Sequence, residues 1–228
     1  MTDSRSRPTP GVAGFIYAIY TWFVFVVLVL AAIVCVLLVP GLEKLPSGDC
    51  VVVANHASYL DGIIVQGYLP PRFSYVIKGE MQNFPLVGLM LRRIGSKFVE
   101  RFEASGSARD ARQLLRAASA GESLAFFPEG TFIEEPGLGR FRPGAFAAAI
   151  KAGVPVVPVV ISGSRHILPA EIFMPRHGHL RLDILNPIEP AHAAFASSKA
   201  LAQLARQRIL EVLEEPDLLE REDEPGST

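Results

Sequence analysis

The sequence predicts an α/β domain whose mixed, largely parallel sheet is flanked by helices and preceded by an N-terminal membrane helix. Short apolar runs alternate with helical segments between residues 45 and 215, a pattern typical of parallel sheets built from βαβ units. Two polar clusters follow apolar runs directly, and residues 8–42 contain no charge. No repeat or linker divides residues 45–215, so we expect a single domain over this range.

The membrane helix is predicted from residues 15–39, which are almost continuously apolar. As a helix they would be roughly 37 Å long, enough to cross a hydrocarbon layer of about 30 Å. Tyr17, Tyr20 and Trp22 stand near the start of this segment, where aromatic rings favour the membrane interface. A signal peptide is the alternative, but its apolar region is usually only about 7–15 residues. We therefore interpret residues 1–44 as an anchor, with its helix at about 12–39.

The elements of the domain follow from apolar runs and their boundaries. Buried strands are predicted at residues 50–54, 73–78, 98–99, 123–127, 154–161 and 180–185. Helices are predicted at residues 85–93, 107–121 and 143–153, and at a terminal amphipathic segment from Leu201 to Leu213. Pro155 and Pro158 indicate that the fifth strand either lies at a sheet edge or has its prolines at the strand start.

Charge is distributed unevenly along the chain, whose net charge is −1. Eight acidic residues and one arginine follow residue 210, so the remainder is mildly basic, which suits anionic lipids or phosphorylated ligands. Residues 216–228 are predicted to be an acidic, disordered tail. Cys35 and Cys50 are the only cysteines and predict neither a disulfide nor a thiolate metal site. No P-loop, dinucleotide fingerprint or G-x-S-x-G elbow is present, and no nucleic-acid partner is expected.

His56 and Asp61 follow the first strand and form the candidate catalytic pair. Positions five residues apart do not share one face of a helix, so the two side chains can meet only if His56 lies in the turn before a helix that carries Asp61. Asp61 would then fix the imidazole tautomer, and the other ring nitrogen would accept a proton from a hydroxyl. Asn55 and Ser58 are candidate caps of that helix. The spacing alone also arises by chance in sequences of this length.

Glu129 follows the fourth strand within the segment Phe127-Pro128-Glu129-Gly130-Thr131. Its carboxylate either binds substrate hydroxyls or only accepts backbone N–H groups, and the sequence leaves both interpretations open. Basic residues cluster between positions 78 and 142, where most are expected on the solvated surface and a few can bind a phosphate.

Taken together, four blocks of residues resemble the glycerolipid acyltransferase family, which includes bacterial lysophosphatidic-acid acyltransferases. The first block, N-H-x-S-x-x-D, is matched by Asn55, His56, Ser58 and Asp61. The second lies between residues 78 and 101, the third at 127–131 and the fourth at 154–159. The resemblance covers about residues 45–190 and implies a glycerol-3-phosphate acyltransferase-like fold, with the acyltransferase domain at residues 45–215.

The resemblance also implies the reaction. His56, oriented by Asp61, would deprotonate a lysophospholipid hydroxyl, which attacks the thioester of acyl-CoA or acyl carrier protein. The acceptor would be lysophosphatidic acid and the product phosphatidic acid, in phospholipid biosynthesis. No metal, cofactor or covalent acyl-enzyme is expected. The implied substrate-binding residues are Lys78, Arg101, Glu129, Gly130, Thr131 and Arg142.

One departure from the family pattern concerns the acceptor. The family usually continues the third block with Arg-Ser, whereas Phe132 and Ile133 follow Thr131 here. Arg140 or Arg142 would then supply the phosphate contact, or the acceptor is a lyso-amino-acid lipid or another hydroxylated lipid. An acyl thioesterase and a catalytically silent membrane adaptor are the remaining alternatives.

The expected location is the cytoplasmic face of the inner membrane, with membrane lipids as partners. The predicted N-terminal helix either spans the membrane or lies partly in one leaflet. Both thioester donors are cytoplasmic, and this outweighs the opposite orientation that Arg5 and Arg7 favour through the positive-inside rule.

Overall fold

The computed structural model describes residues 41–78, 97–99, 122–131, 135–169 and 176–222, together with Tyr20 and Phe23. The chain divides into two compact units, Met1–Val39 and Pro40–Thr228. Tyr20 and Phe23 are helical and exposed, and the rest of the predicted anchor at residues 12–39 lies outside the described residues. None of the helices among the described residues combines the length and the apolar character of a membrane span.

The second unit is built on one six-stranded sheet in the order β3-β2-β4-β1-β5-β6. Neighbouring strands are parallel except for β5 and β6, which are antiparallel. This confirms the predicted mixed, largely parallel sheet. The strands are β1 (Val51–Ala54), β2 (Phe73–Lys78), β3 (Lys97–Val99), β4 (Ser123–Phe126), β5 (Val156–Ser162) and β6 (Arg181–Ile184).

Helices flank the sheet, as the sequence predicts. Those in the described residues are α1 (Leu60–Tyr68), α2 (Gly144–Ala152), α3 (Ser164–Ile167), α4 (Ser198–Leu210) and α5 (Leu218–Glu222), with short 3₁₀ helices at Leu42–Lys44 and Ala193–Ala196. Pro143 precedes α2 and Gly153 ends it with a left-handed φ of 67°, so both predicted boundaries are confirmed. The helices predicted at 85–93 and 107–121 lie outside the described residues.

The central strand β1 is buried on both faces, which explains its uninterrupted apolar sequence. Val51 and Val53 pack with residues of α2 and α4 in the main core cluster. Val52 and Ala54 point to the opposite face because successive side chains of a strand alternate. Helix α1 covers that second face, since the Tyr75 hydroxyl donates to the Val65 carbonyl at 3.2 Å while the adjacent Val76 belongs to the main cluster.

The edge position that the prolines predicted for the fifth strand is wrong, because β5 lies between β1 and β6. Pro155 does precede the strand, and its carbonyl accepts the Val51 N–H at 3.0 Å. Pro158 lies inside β5, opposite Val53, one residue before the paired register with β6 begins at Val159. The Pro158 carbonyl accepts the Leu185 N–H at 2.9 Å. Pro158, which has no N–H to donate, therefore lies where the pairing with β6 ends.

The beginning of the predicted acidic tail is part of the domain, so the boundary predicted at residue 215 falls too early. Leu138 donates its N–H to the Pro216 carbonyl at 2.9 Å, and Leu218 is buried. Asp217 pairs with Arg206, which lies on the buried face of α4. A buried guanidinium requires a counter-charge, and the tail supplies it. Residues 223–228 lie outside the described residues.

Replacing Asp217 by Asn is expected to lower the free energy of unfolding by about 1.5–3 kcal/mol at neutral pH, the range for a hydrogen bond to a charged group. The hydrogen-bonded Arg206 guanidinium holds the pKa of the Asp217 carboxyl below its usual range. This stabilisation is therefore complete above the unfolded-state pKa of about 3.9 and is lost as the pH falls through the lower folded-state pKa.

Urea unfolding of the full chain in detergent, at neutral pH and in steps below pH 4, measures this difference. Glu211→Gln removes the same charge from an exposed position and is the matched control, with an expected change within about 0.5 kcal/mol. A parent and an Asp217→Asn variant of equal stability at neutral pH would contradict the assignment.

Candidate active site

The two polar clusters singled out in the sequence meet at one edge of the sheet. Strands β1 and β4 are parallel neighbours, with Val53 opposite Phe126, so both end at the same side. His56 follows β1 and Glu129 follows β4. The carboxyl ends of parallel strands are where open α/β sheets bind their ligands.

Asp61 organises the turn that joins β1 to α1. Its Oδ2 accepts three donors: the backbone N–H groups of Ala57 at 2.6 Å and Ser58 at 2.8 Å, and Nδ1 of His56 at 2.9 Å. The carboxylate is fully buried, whereas the His56 side chain is 18% exposed. Helix α1 begins at Leu60, so His56 lies in the turn and Asp61 in the first helical turn, the one arrangement in which the spacing allows contact.

The hydrogen bond between Asp61 and Nδ1 determines the tautomer of His56. A carboxylate only accepts hydrogen bonds, so Nδ1 carries the proton when the imidazole is neutral. Nε2 is then the basic nitrogen of the ring. The geometry is that of a general base held in orientation by a carboxylate.

Asn55 and Ser58 have different roles from one another. The sequence suggested that Asn55 caps α1, and this is wrong. Its side-chain amide instead extends the pairing between β1 and β5: Nδ2 donates to the Ile161 carbonyl at 2.9 Å and Oδ1 accepts the Ile161 N–H at 2.7 Å. The Ser58 hydroxyl accepts the Leu60 N–H at 3.2 Å and donates to the Leu168 carbonyl at 2.7 Å. Ser58 therefore helps to start α1 and is fully buried.

Glu129, at the end of the neighbouring strand, binds the turn that carries His56. Its Oε1 accepts the backbone N–H of His56 at 2.8 Å, and its Oε2 accepts that of Gly139 at 2.9 Å. Burial raises the pKa of this carboxyl, and the two N–H donors oppose that rise by stabilising the ionised form. These contacts match the backbone-binding interpretation of Glu129, and its contact with substrate stays a prediction.

Phe127 fixes the plane of the imidazole. Its ring stacks on that of His56, with the centroids 4.4 Å apart and the planes 21° from parallel. The sequence placed Phe127 in the third block but gave no role to its side chain. The stacking depends on β1 and β4 being neighbours, which no local pattern reports.

The remaining predicted substrate-binding residues are only partly placed. Gly130 turns the chain after Glu129 with a φ of 88°, which favours glycine, and Thr131 beside it is exposed. Arg142 is exposed, and its backbone N–H donates to the Pro128 carbonyl at 2.9 Å. Lys78 ends β2, two strands from β1, and its side chain is not described. Arg101 lies outside the described residues.

Cys50 is the one cysteine in the described part of the chain, and it is buried at the start of β1. Burial raises the pKa of its thiol to about 11. It is therefore protonated at neutral pH, which makes it a poor nucleophile.

This fold and site define an α/β protein with a carboxylate-oriented histidine at the carboxyl ends of parallel strands. Known proteins then give its family. The family model described as "Acyltransferase" matches residues 36–162, more than half of the chain, so the chain belongs to the acyltransferase family. The family resemblance seen in the sequence is thereby confirmed.

Individual relatives agree with this assignment. The chain is 33% identical over 176 residues to a chloroplastic 1-acyl-sn-glycerol-3-phosphate acyltransferase of Brassica napus, covering 75% of this chain and 51% of the relative. It is 37% identical over 118 residues to a lyso-ornithine lipid O-acyltransferase of Pseudomonas aeruginosa, covering 51% of this chain and 44% of the relative. The chain thus spans about half the length of these curated relatives.

A solved structure shows the same fold. The crystal structure of the 1-acyl-sn-glycerophosphate (LPA) acyltransferase PlsC from Thermotoga maritima superposes with a TM-score of 0.66 at 25% sequence identity. The match covers 83% of this chain and 73% of the Thermotoga chain.

Replacing Asn55 by Asp tests the pairing that positions the end of β1. The carboxylate can still accept the Ile161 N–H, but the Ile161 carbonyl loses its donor and faces a negative charge. We expect the free energy of unfolding to fall by at least about 1–3 kcal/mol, the cost of an unsatisfied buried polar group. Urea unfolding measures the loss, and the isosteric Asn186→Asp change at an exposed position is the control. Equal losses in both variants would contradict this role of Asn55.

Proposed function

We propose that this protein is a membrane-associated O-acyltransferase that moves a fatty acyl group from acyl-CoA or acyl carrier protein to the hydroxyl of a lysophospholipid. The observation that carries the proposal is the contact between Asp61 and Nδ1 of His56, because it presents Nε2 as a base at the sheet edge. Membership of the acyltransferase family supplies the reaction in which such a base acts.

In the proposed mechanism His56 Nε2 takes the proton of the acceptor hydroxyl as its oxygen attacks the thioester carbonyl carbon. The buried Asp61 carboxylate stabilises the imidazolium that forms. The tetrahedral intermediate collapses with cleavage of the carbon–sulfur bond, and the thiolate leaving group takes the proton back from His56. Proton and acyl group balance without a covalent acyl-enzyme. The commitment of the Ser58 hydroxyl to Leu168 and Leu60 supports direct transfer.

Lysophosphatidic acid is the acceptor we propose first, by analogy with the names of the Brassica and Thermotoga relatives. Arg140 and Arg142 are exposed on either side of the buried Phe141, and the Arg142 backbone is tied to Pro128 within the third block. Their guanidinium groups are suited to a phosphate. A lyso-amino-acid lipid is the second candidate, favoured by the Pseudomonas relative and by Phe132 and Ile133 in place of the Arg-Ser of the family pattern.

An uncharged surface of α1 supports action at a membrane. Tyr59 and Ile63 are 57% and 71% exposed, and Gly67 continues the same helical stripe. Between Ser58 and Pro71 the only charged residue is Asp61, which is buried. This surface adjoins the turn that carries His56, so we propose that it meets the lipid phase from which the acceptor and acyl chains enter.

The activity is tested with radiolabelled acyl-CoA and acyl carrier protein offered to the purified full chain with lysophosphatidic acid, lyso-ornithine lipid or no acceptor. We expect acceptor-dependent transfer, fastest with lysophosphatidic acid. His56→Ala and Asp61→Asn should each lower kcat by about 10²–10⁴-fold, the usual contribution of a general base. The side-chain amide oxygen introduced by Asp61→Asn can still accept the turn donors, so the fold of that variant should persist.

The panel separates the alternatives. Release of free fatty acid at the same rate without any acceptor would identify a thioesterase. Transfer to lyso-ornithine lipid alone would replace the first acceptor by the second. Unchanged acyl transfer in His56→Ala would refute the proposed mechanism.

The lipid-facing surface is tested with Ile63→Lys. Burial of an isoleucine side chain contributes about 1.5–3 kcal/mol, so we expect at least about tenfold slower transfer to acceptors in vesicles. Transfer to a short-chain, monomeric acceptor should be unchanged. Ala147→Lys is the matched control because Ala147 is exposed on α2, which packs on the other face of the sheet. Equal losses with vesicles and with monomeric acceptor would contradict membrane contact by α1.

A further inference from the structure

The segment Gly137–Gly139 is held on several sides by groups far away in sequence. Its central residue, Leu138, is fully buried, donates its N–H to Pro216 and accepts the Leu218 N–H at 3.3 Å. Gly137 approaches Leu218 so closely that an added Cβ would lie 2.5 Å from the leucine Cγ. The C-terminal segment therefore packs closely against residues 137–139.

Charged side chains fix the same segment. Arg206 donates to the carbonyls of Leu138 at 2.7 Å and Gly139 at 2.8 Å, and its guanidinium also pairs with the Asp217 carboxylate. Glu215 accepts the Gly137 N–H at 2.8 Å and pairs with Arg165 at 3.1 Å. Asp217 thus orients Arg206, and Glu215 binds the backbone of Gly137. Both contacts help to define where Gly139 lies.

Gly139 transmits this position to the active site. Its N–H is one of the two backbone donors to Glu129, and the other is the N–H of His56 itself. Because burial penalises the Glu129 charge, the carboxylate depends on both donors. A displaced Gly139 leaves Glu129 with one backbone donor, and the His56 backbone then loses a fixed partner.

We propose that Asp217 and Arg206 are positioning residues of the active site, which act on His56 through Gly139 and Glu129. Neither touches the reacting atoms in this account. The effect on catalysis rests on the proposed function, whereas the effect on the His56 backbone does not. The C-terminal acidic segment is accordingly part of the machinery that sets the catalytic turn.

The test compares Asp217→Asn and Arg206→Lys with two controls in the full chain, well below the unfolding temperature. Asp217→Asn should lower kcat by about tenfold with KM for both substrates within about twofold, since about 1.4 kcal/mol of lost alignment is a factor of ten. Asp217→Glu, which keeps the carboxylate, should recover most of the loss. Arg206→Lys keeps the charge but not the fork that binds two carbonyls, and should behave like Asp217→Asn.

The controls separate positioning from general destabilisation. Ile209→Val removes one buried methyl group from the same helix, and Glu211→Gln removes an exposed charge nearby. Both should retain the parent kcat, even where Ile209→Val lowers the unfolding temperature as much as Asp217→Asn does. Equal kcat losses in Ile209→Val and Asp217→Asn at matched stability would overturn the proposal.

Backbone hydrogen exchange provides a readout that does not depend on activity. The amides of His56 and Gly139 should exchange at least about tenfold faster in Asp217→Asn than in the parent, and at the parent rate in Glu211→Gln. Unchanged exchange at both amides would overturn the proposal even if acyl transfer is observed. If the parent shows no acyl transfer but Asp217→Asn still exchanges both amides faster than the parent, the proposed function is refuted and the positioning role stands.

Discussion

The site depends on one buried oxygen, Oδ2 of Asp61. Where β1 ends, the chain must turn into α1, and the backbone N–H groups of Ala57 and Ser58 lose the partners that a strand would give them. Asp61 accepts both from the first turn of the helix and accepts Nδ1 of His56 at the same oxygen. The interaction that satisfies the turn therefore also selects the tautomer of the imidazole, so that local folding and the orientation of the base cannot be separated.

A second carboxylate extends this arrangement across the sheet. Glu129 links the His56 backbone to Gly139, and Phe127 from the same turn stacks on the imidazole. Backbone N–H groups are better anchors than side chains because they lose no rotamer entropy on binding. The histidine is consequently held by its own turn and by the end of β4, and Glu129 is in turn bound by Gly139. In the proposed mechanism, such support keeps His56 aligned with the acceptor hydroxyl.

The sequence predicted what local patterns encode. The apolar runs predicted the strands, Pro143 and Gly153 bounded α2, and the five-residue spacing was compatible with contact only across the turn that is observed. Asn55 was misinterpreted as a helix cap because its partner, Ile161, is 106 residues away. Arg206 and Asp217 were missed for a related reason: a charged residue in an amphipathic helix and an acidic tail are both typical of solvated surface. Only the fold shows that they pair beside the active site.

We propose that Asp61 holds neutral His56 with the proton on Nδ1 and with Nε2 available as the base. Nitrogen-15 NMR of histidine-labelled protein reports this directly, with the His56 signals assigned by their loss in His56→Gln. At alkaline pH, where imidazoles are neutral, we predict a protonated Nδ1 and an unprotonated Nε2 for His56, and a mixture of tautomers in Asp61→Ala. A parent protein in which neutral His56 carries its proton on Nε2 would contradict the account.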